Sequence, residues 1–115
     1  MTEKSYNLDY LENISGGDQE FVKDMIQTFI MNAPEDLEKI KNWIENKNWQ
    51  KVGEDAHRFA SSLLFLGLDH LKSIANTIEE MGIKQFDVES IPGLFEKLEK
   101  SCYQIIKELK RDFNV

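Results

Sequence analysis

The chain has 115 residues and a mass of 13.4 kDa, a length that fits one domain over residues 1–115 and argues against a multidomain enzyme. Hydrophobic residues make up 41% and charged residues 30%, too rich in Leu, Ile and Phe for a disordered segment. Fourteen Lys and Arg against 21 Asp and Glu leave a net charge of −7, which repels a phosphate backbone and argues against nucleic acid as a partner.

A short first segment carries Leu8 and Leu11 and stops at Ser15-Gly16-Gly17. Asp18 is placed to cap a second helix, with Phe21, Val22, Met25, Ile26, Phe29 and Ile30 at helical spacing and an end near Met31. Pro34 suits the first turn of a third helix, where no N–H is needed, and Leu37, Ile40 and Ile44 give that helix one apolar face before residues 46–48. A fourth begins near Trp49, spaces Val52, Ala56, Phe59, Leu63 and Leu66 by alternating fours and threes, and ends or breaks at Gly67. The fifth runs through Leu71, Ile74, Ala75, Ile78 and Met81 to Gly82. After a loop at residues 85–90 and the turn Ile91-Pro92-Gly93, a sixth carries Leu94, Leu98, Cys102, Ile105 and Leu109.

No strand pattern survives this division, so the fold class is all-α. The pattern predicts an antiparallel up-and-down four-helix bundle with one or two short additional helices, the first and third segments covering one end. The expected core is Phe21, Met25, Phe29, Val52, Phe59, Leu63, Leu66, Ile74, Ile78, Leu98 and Ile105, in a monomer.

The longest apolar run, residues 63–68, is far shorter than a membrane span, and the start MTEKSYNLDY lacks the apolar core of a secretory signal. A cytoplasmic location and no membrane partner are the expectation. Cys102 is the single cysteine and reads as a small core residue. No glycine loop suited to cradle a phosphate is present, and His57 and His70 are too far apart in sequence to share a helical turn, so no metal site and no cofactor are expected. Carboxylates such as Glu79 and Glu80 read as solvated surface, His70 as an exposed helix-start residue, and Trp43 and Trp49 as packing.

His57 is different. On a wheel of about 100° per residue it lies one position past Ala56, outside the core seam, and shares its side with Gln50, Gly53, Glu54, Ser61 and Leu64. Gly53 and Ser61, one turn before and after it, are small enough to let a partner approach the imidazole. A glycine inside a helix costs about 1 kcal/mol relative to Ala and asks for a reason.

The stretch Ala56-His57-Arg58-Phe59-Ala60-Ser61-Ser62, with Gly67 ten positions after the histidine, resembles the signature of histidine phosphotransfer (HPt) domains. In that signature Ala-His is followed by an apolar residue, Lys-Gly and two small residues. Leu8, Leu11, Gly17-Asp18 with Glu20-Phe21, Phe29 and Pro34 recur in similar order ahead of the histidine and Leu71 after it, so the resemblance covers residues 8–81. Two departures stand out: Ala60 and Ser61 replace the usual lysine and glycine, and Leu64 replaces a more polar or smaller residue. Arg58 is the nearest cation, but it points to the other side of His57 and can pair with Glu54.

The resemblance implies a helical bundle in which His57 accepts a phosphoryl group from a receiver-domain aspartate and passes it to another response-regulator receiver. The partner would be the receiver of a response regulator or hybrid histidine kinase, docked on Gln50, Gly53, Glu54, Arg58, Ala60, Ser61 and Leu64. The chain would be a carrier without a kinase site of its own, the receiver supplying the Mg²⁺ and lysine for the transferring group. The alternative is an HPt-like module that binds a receiver or histidine kinase without accepting phosphate.

Overall fold

Five α-helices and one 3₁₀ turn build residues 6–115, the part of the chain that the computed structural model describes. The first helix, α1 (Asp9–Ser15), ends where Gly16 and Gly17 take left-handed φ angles of 64° and 88°, conformations that only glycine adopts without steric cost. Asp18 then caps α2 (Gln19–Glu45), accepting the backbone N–H groups of Glu20 and Phe21 at 3.0 and 3.2 Å.

The break expected at Pro34 does not occur. α2 is continuous through the proline, so the predicted second and third helices are one element of 27 residues, and no third segment covers an end. Proline in a helix removes an N–H and crowds the carbonyl one turn back, at about 3 kcal/mol. The buried stripe Val22, Ile26, Phe29, Ala33, Leu37 and Ile40 keeps its phase across that turn. Leu37 and Ile40 are wholly buried beyond it, and roughly 1.5–3 kcal/mol for each such side chain offsets the local penalty.

α3 (Trp49–Phe65) starts where the Asn48 side chain accepts the N–H of Lys51 at 3.3 Å. It ends at Gly67, which the chain needs for two reasons. Its φ is 63°, and a Cβ there would lie 2.7 Å from the carbonyl oxygen of Asn7, whose own N–H donates to Leu66 O at 2.8 Å. α4 (Asp69–Lys84) runs through Gly82 rather than stopping there and ends at Gln85 in the left-handed region. A 3₁₀ turn (Val88–Ser90) occupies the loop, and α5 (Ile91–Phe113) follows with Pro92 in its first turn. At the other end of α5 the Tyr6 hydroxyl donates to Asp112, and burial with this carboxylate pushes the phenol above its usual range.

α2, α3, α4 and α5 touch in a closed ring, α2 with α3 and α5, and α4 with α3 and α5, while α1 packs on α2. This is the four-helix bundle expected from the spacing, 42 Å along its longest axis, and no strand is present among the described residues. Phe29, Val52, Phe59, Leu63, Leu66, Ile78, Leu98 and Ile105 are buried as expected, with the Phe29 and Phe59 rings stacked at 6.5 Å. Phe21 is exposed, because the Asp18 cap sets a phase that turns Val22 inward instead, and Met25 and Ile74 are half-buried at the margin of the core. In α5 the buried position falls on Phe95 rather than Leu94.

Candidate functional site

His57 stands at the midpoint of α3 with 67% of its side chain exposed. Its surroundings are set by an unusually close crossing of α3 and α4. A Cβ on Gly82 would lie 2.7 Å from Trp49 O and 2.9 Å from Gly53 N, and one on Gly53 would lie 2.7 Å from the Ile83 side chain and 3.0 Å from Glu79 O. Gly53 is therefore buried by α4. It does not open the imidazole to a partner, and close helix packing is the reason a glycine stands inside α3.

The crossing brings Glu79 of α4 to the histidine. Its Oε2 lies 3.0 Å from His57 Nδ1, with the Glu79 side chain 31% exposed, so this carboxylate is part of the site rather than plain solvated surface. An ionised carboxylate only accepts, so a neutral ring at this distance is favoured with its proton on Nδ1. Nε2 is then the ring nitrogen whose lone pair is available.

The other charges near His57 are already engaged. Glu54 accepts from the Gln50 amide at 3.0 Å and from Lys51 at 3.5 Å, which holds its carboxyl below the usual range. Arg58 pairs with Asp55, not with Glu54 as its i to i+4 spacing suggests. Asp55 is nearly buried and also takes the Trp43 indole N–H at 2.8 Å, so the guanidinium is drawn toward α2. Asp36, lining the same recess between α2 and α3, has its carboxyl pushed up, chiefly by desolvation and further by Asp55.

The family model for the Hpt domain matches residues 24–111. The chain belongs to the Hpt domain family. Members of this family are phosphocarriers rather than kinases, they act in histidine phosphotransfer within phosphorelays, and receiver domains are their partners in general. A phosphorelay intermediate protein, rdeA, of Dictyostelium discoideum is 23% identical over 106 residues, covering 92% of this chain and 41% of that protein. The chain thus spans less than half the length of that relative. The crystal structure of histidine-containing phosphotransfer protein B (HptB) from Pseudomonas aeruginosa PAO1 superposes with a TM-score of 0.85 at 16% identity, over 96% of each chain, a likeness of fold.

Of the residues placed on the docking face of this Hpt domain by sequence, Gln50, Arg58, Ser61 and Leu64 are exposed and Glu54 is partly so. Gly53 and Ala60 are buried, Ala60 to 4% exposure, and offer a partner no side chain. The lysine usual at the position of Ala60 would have to reach solvent from the inward side of α3. Glu79, read from sequence as solvated surface, and the Asp55–Trp43 link are not among the site residues expected from sequence. Neither are Tyr10 and Ile14, exposed apolar residues of α1, which Tyr10 joins to the end of α3 by a ring contact with Phe65 at 5.7 Å. Among the described residues no group of three or more potential metal ligands occurs, and no helix is long and apolar enough to cross a membrane.

Proposed function

We propose that this chain is a phosphorelay intermediate whose phosphoacceptor is His57. The observation that carries the reading is the exposed imidazole at the midpoint of α3 with Nδ1 engaged by Glu79 at 3.0 Å, which leaves Nε2 as the nucleophile. The Nε2 lone pair attacks the phosphorus of a receiver phosphoaspartate in line, the P–O bond breaks, and the aspartate carboxylate leaves with the bonding pair. Donation to the next receiver is the reverse, with the pair returning to Nε2. By family resemblance the Mg²⁺ and lysine that support the equatorial oxygens belong to the receiver.

Docking draws on Gln50, Glu54, Arg58, Ser61 and Leu64 around the histidine. Leu64, Tyr10 and Ile14 supply exposed apolar surface toward α1, 38%, 41% and 51% exposed. Such a carrier works as a monomer where receivers are, in the cytoplasm. A second reading, a module that binds a receiver without accepting phosphate, is favoured by one observation, Ala60 and Ser61 in place of lysine and glycine. Incubation with a phosphorylated receiver separates the two. Acid-labile, base-stable phosphate is expected on the wild type and none on His57→Gln, whose stability should stay within about 0.5 kcal/mol of wild type at this exposed position. An unlabelled wild type, or a labelled His57→Gln, refutes the proposal.

A further inference from the structure

We infer that the strap Tyr6-Asn7 positions α1 for receiver docking, latching this short helix to the end of α3 and to α5 so that Tyr10 and Ile14 stay within reach of a docked receiver. The inference rests on the phosphorelay reading and deepens it. Isolated helices shorter than about 12–15 residues are marginal in water, so α1, with seven residues, depends on its attachments. Leu11 is its one buried side chain. On its C-terminal side the chain continues through Gly16 and Gly17, which are exposed and have nothing within 4 Å of their Cβ positions.

The N-terminal side is tied three times. The Asn7 N–H donates to Leu66 O at 2.8 Å, and the Asn7 side-chain oxygen accepts the N–H of Asp9 at 2.8 Å. That second bond serves the first turn of α1, where Leu8 at the cap position has no polar side chain to offer. One residue thus holds the end of α3 by its backbone and the start of α1 by its side chain. The third tie is the bond that the Tyr6 hydroxyl donates to Asp112 of α5, with the Tyr6 ring 6% exposed and 6.4 Å from that of Phe113. A carboxylate acceptor makes it one of the stronger kinds of hydrogen bond. Burial, and then Asp112, push the phenol above its ordinary range, so it remains a donor.

The latch lies apart from the chemistry but inside the partner's reach. Leu66 is nine residues past His57, about 14 Å along α3 at 1.5 Å per residue. A standard interface covers about 800 Å² on each partner, equivalent to a disc of roughly 16 Å radius. Centred on His57, such a disc takes in Leu64 and also Phe65, whose ring Tyr10 meets at 5.7 Å. Opening of the strap frees α1 from this place, and receiver affinity then falls with the fraction of molecules whose strap is closed.

The test compares the wild type with Tyr6→Phe, which keeps the ring and loses the donor, with Asp112→Ala, and with Asp112→Asn, whose amide oxygen still accepts. Hydrogen exchange is followed at the amides of residues 12–15. Labelling is measured with the phosphorylated receiver that labels the wild type and with phosphoramidate, a small phosphoryl donor that needs no docking. Exchange in α1 should quicken about 10-fold or more in Tyr6→Phe and Asp112→Ala, the scale of a lost hydrogen bond to a charged group, and far less in Asp112→Asn. The receiver concentration giving half-maximal rate should rise about 3-fold or more in the first two variants, while the rate at saturation and the rate with phosphoramidate stay within about twofold of wild type. In a Tyr10→Ala, Ile14→Ala background, Tyr6→Phe should add nothing to the receiver requirement, because the strap acts through those two side chains. A merely structural role would lower the melting temperature and leave that requirement unchanged. Unchanged α1 exchange in Tyr6→Phe, or an unchanged half-saturating receiver concentration, overturns the inference. If the wild type is nevertheless labelled on His57, the phosphorelay reading survives; if no receiver labels the wild type, that reading falls and this inference with it.

Discussion

Gly82→Ala tests the crossing on which the site depends. Helix propensity alone predicts a gain of about 1 kcal/mol from replacing a glycine inside α4. Packing predicts the reverse, because the new methyl carbon would lie 2.7 Å from Trp49 O and 2.9 Å from Gly53 N, backbone atoms that cannot rotate away. Overpacking of this kind costs about 1–3 kcal/mol, and backbone contacts this short belong at the upper end, so a net loss of about 1–2 kcal/mol is expected after the propensity gain. In a domain of this size that is a fall of roughly 4–12 °C in melting temperature. Gly93→Ala is the control: it also lies within a helix, but nothing stands within 4 Å of its Cβ position, so only the propensity gain remains. Urea denaturation of both variants provides the free energies, and the His57 ring shifts report whether α4 has moved away from α3. A Gly82→Ala protein as stable as Gly93→Ala, with its His57 tautomer intact, would refute the claim that the crossing sets this geometry.

Phe59→Ala should cost about 3–5 kcal/mol by urea denaturation, since the ring is 1% exposed and its removal leaves a cavity against Phe29; a loss under about 1 kcal/mol would contradict that burial. Ala60→Lys must carry its ammonium out from the inward side of α3 along its own stem, so a stability loss of about 1–3 kcal/mol is expected, and a faster, equally stable variant would show that the position opens readily to solvent. Asp36 titrates above its usual 3.8 in the fold, mainly through desolvation, so the folded state holds this proton more tightly than the unfolded chain does. Stability from this group is therefore present at low pH and lost as pH rises through the folded value. Asp36→Asn should accordingly be more stable than wild type at neutral pH, with the difference vanishing below about pH 3, and a gain that grows toward acid would have the wrong sign.

The bundle is legible because each long helix buries a stripe at helical spacing, and α3 shows this most fully, with Val52, Ala56, Phe59 and Leu63 all buried. The error at Pro34 comes from giving a local signal priority over a periodic one. Proline acts on one turn, whereas the stripe from Val22 to Ile40 continues in phase on both sides of it, and burial along that stripe outweighs the turn. Phe21 shows a smaller failure of the same kind. Two adjacent apolar residues leave the phase ambiguous, and the Asp18 cap resolves it in favour of Val22.

The site is legible only along one helix. A wheel assigns His57 to the outward side of α3, but it shows the direction of Gly53 and Ala60 without showing what fills the space beyond them. The residue of α4 that meets the imidazole depends on where the two helices cross, and Gly53 and Gly82 have to be brought together before Glu79 can be recognised. Arg58 follows a similar rule. Its i to i+4 spacing to exposed Glu54 is favourable on an isolated helix, yet Asp55 is nearly buried beside Trp43, and a carboxylate withdrawn from water needs its cation more than a solvated one does. Pairing Arg58 with Asp55 keeps that positive charge on the α2 side, and Ala60, buried and uncharged, adds none beside the ring. Among the described residues, the charged group that the structure sets against the imidazole is the Glu79 carboxylate, 3.0 Å from Nδ1, and it comes from a helix that a wheel of α3 cannot show.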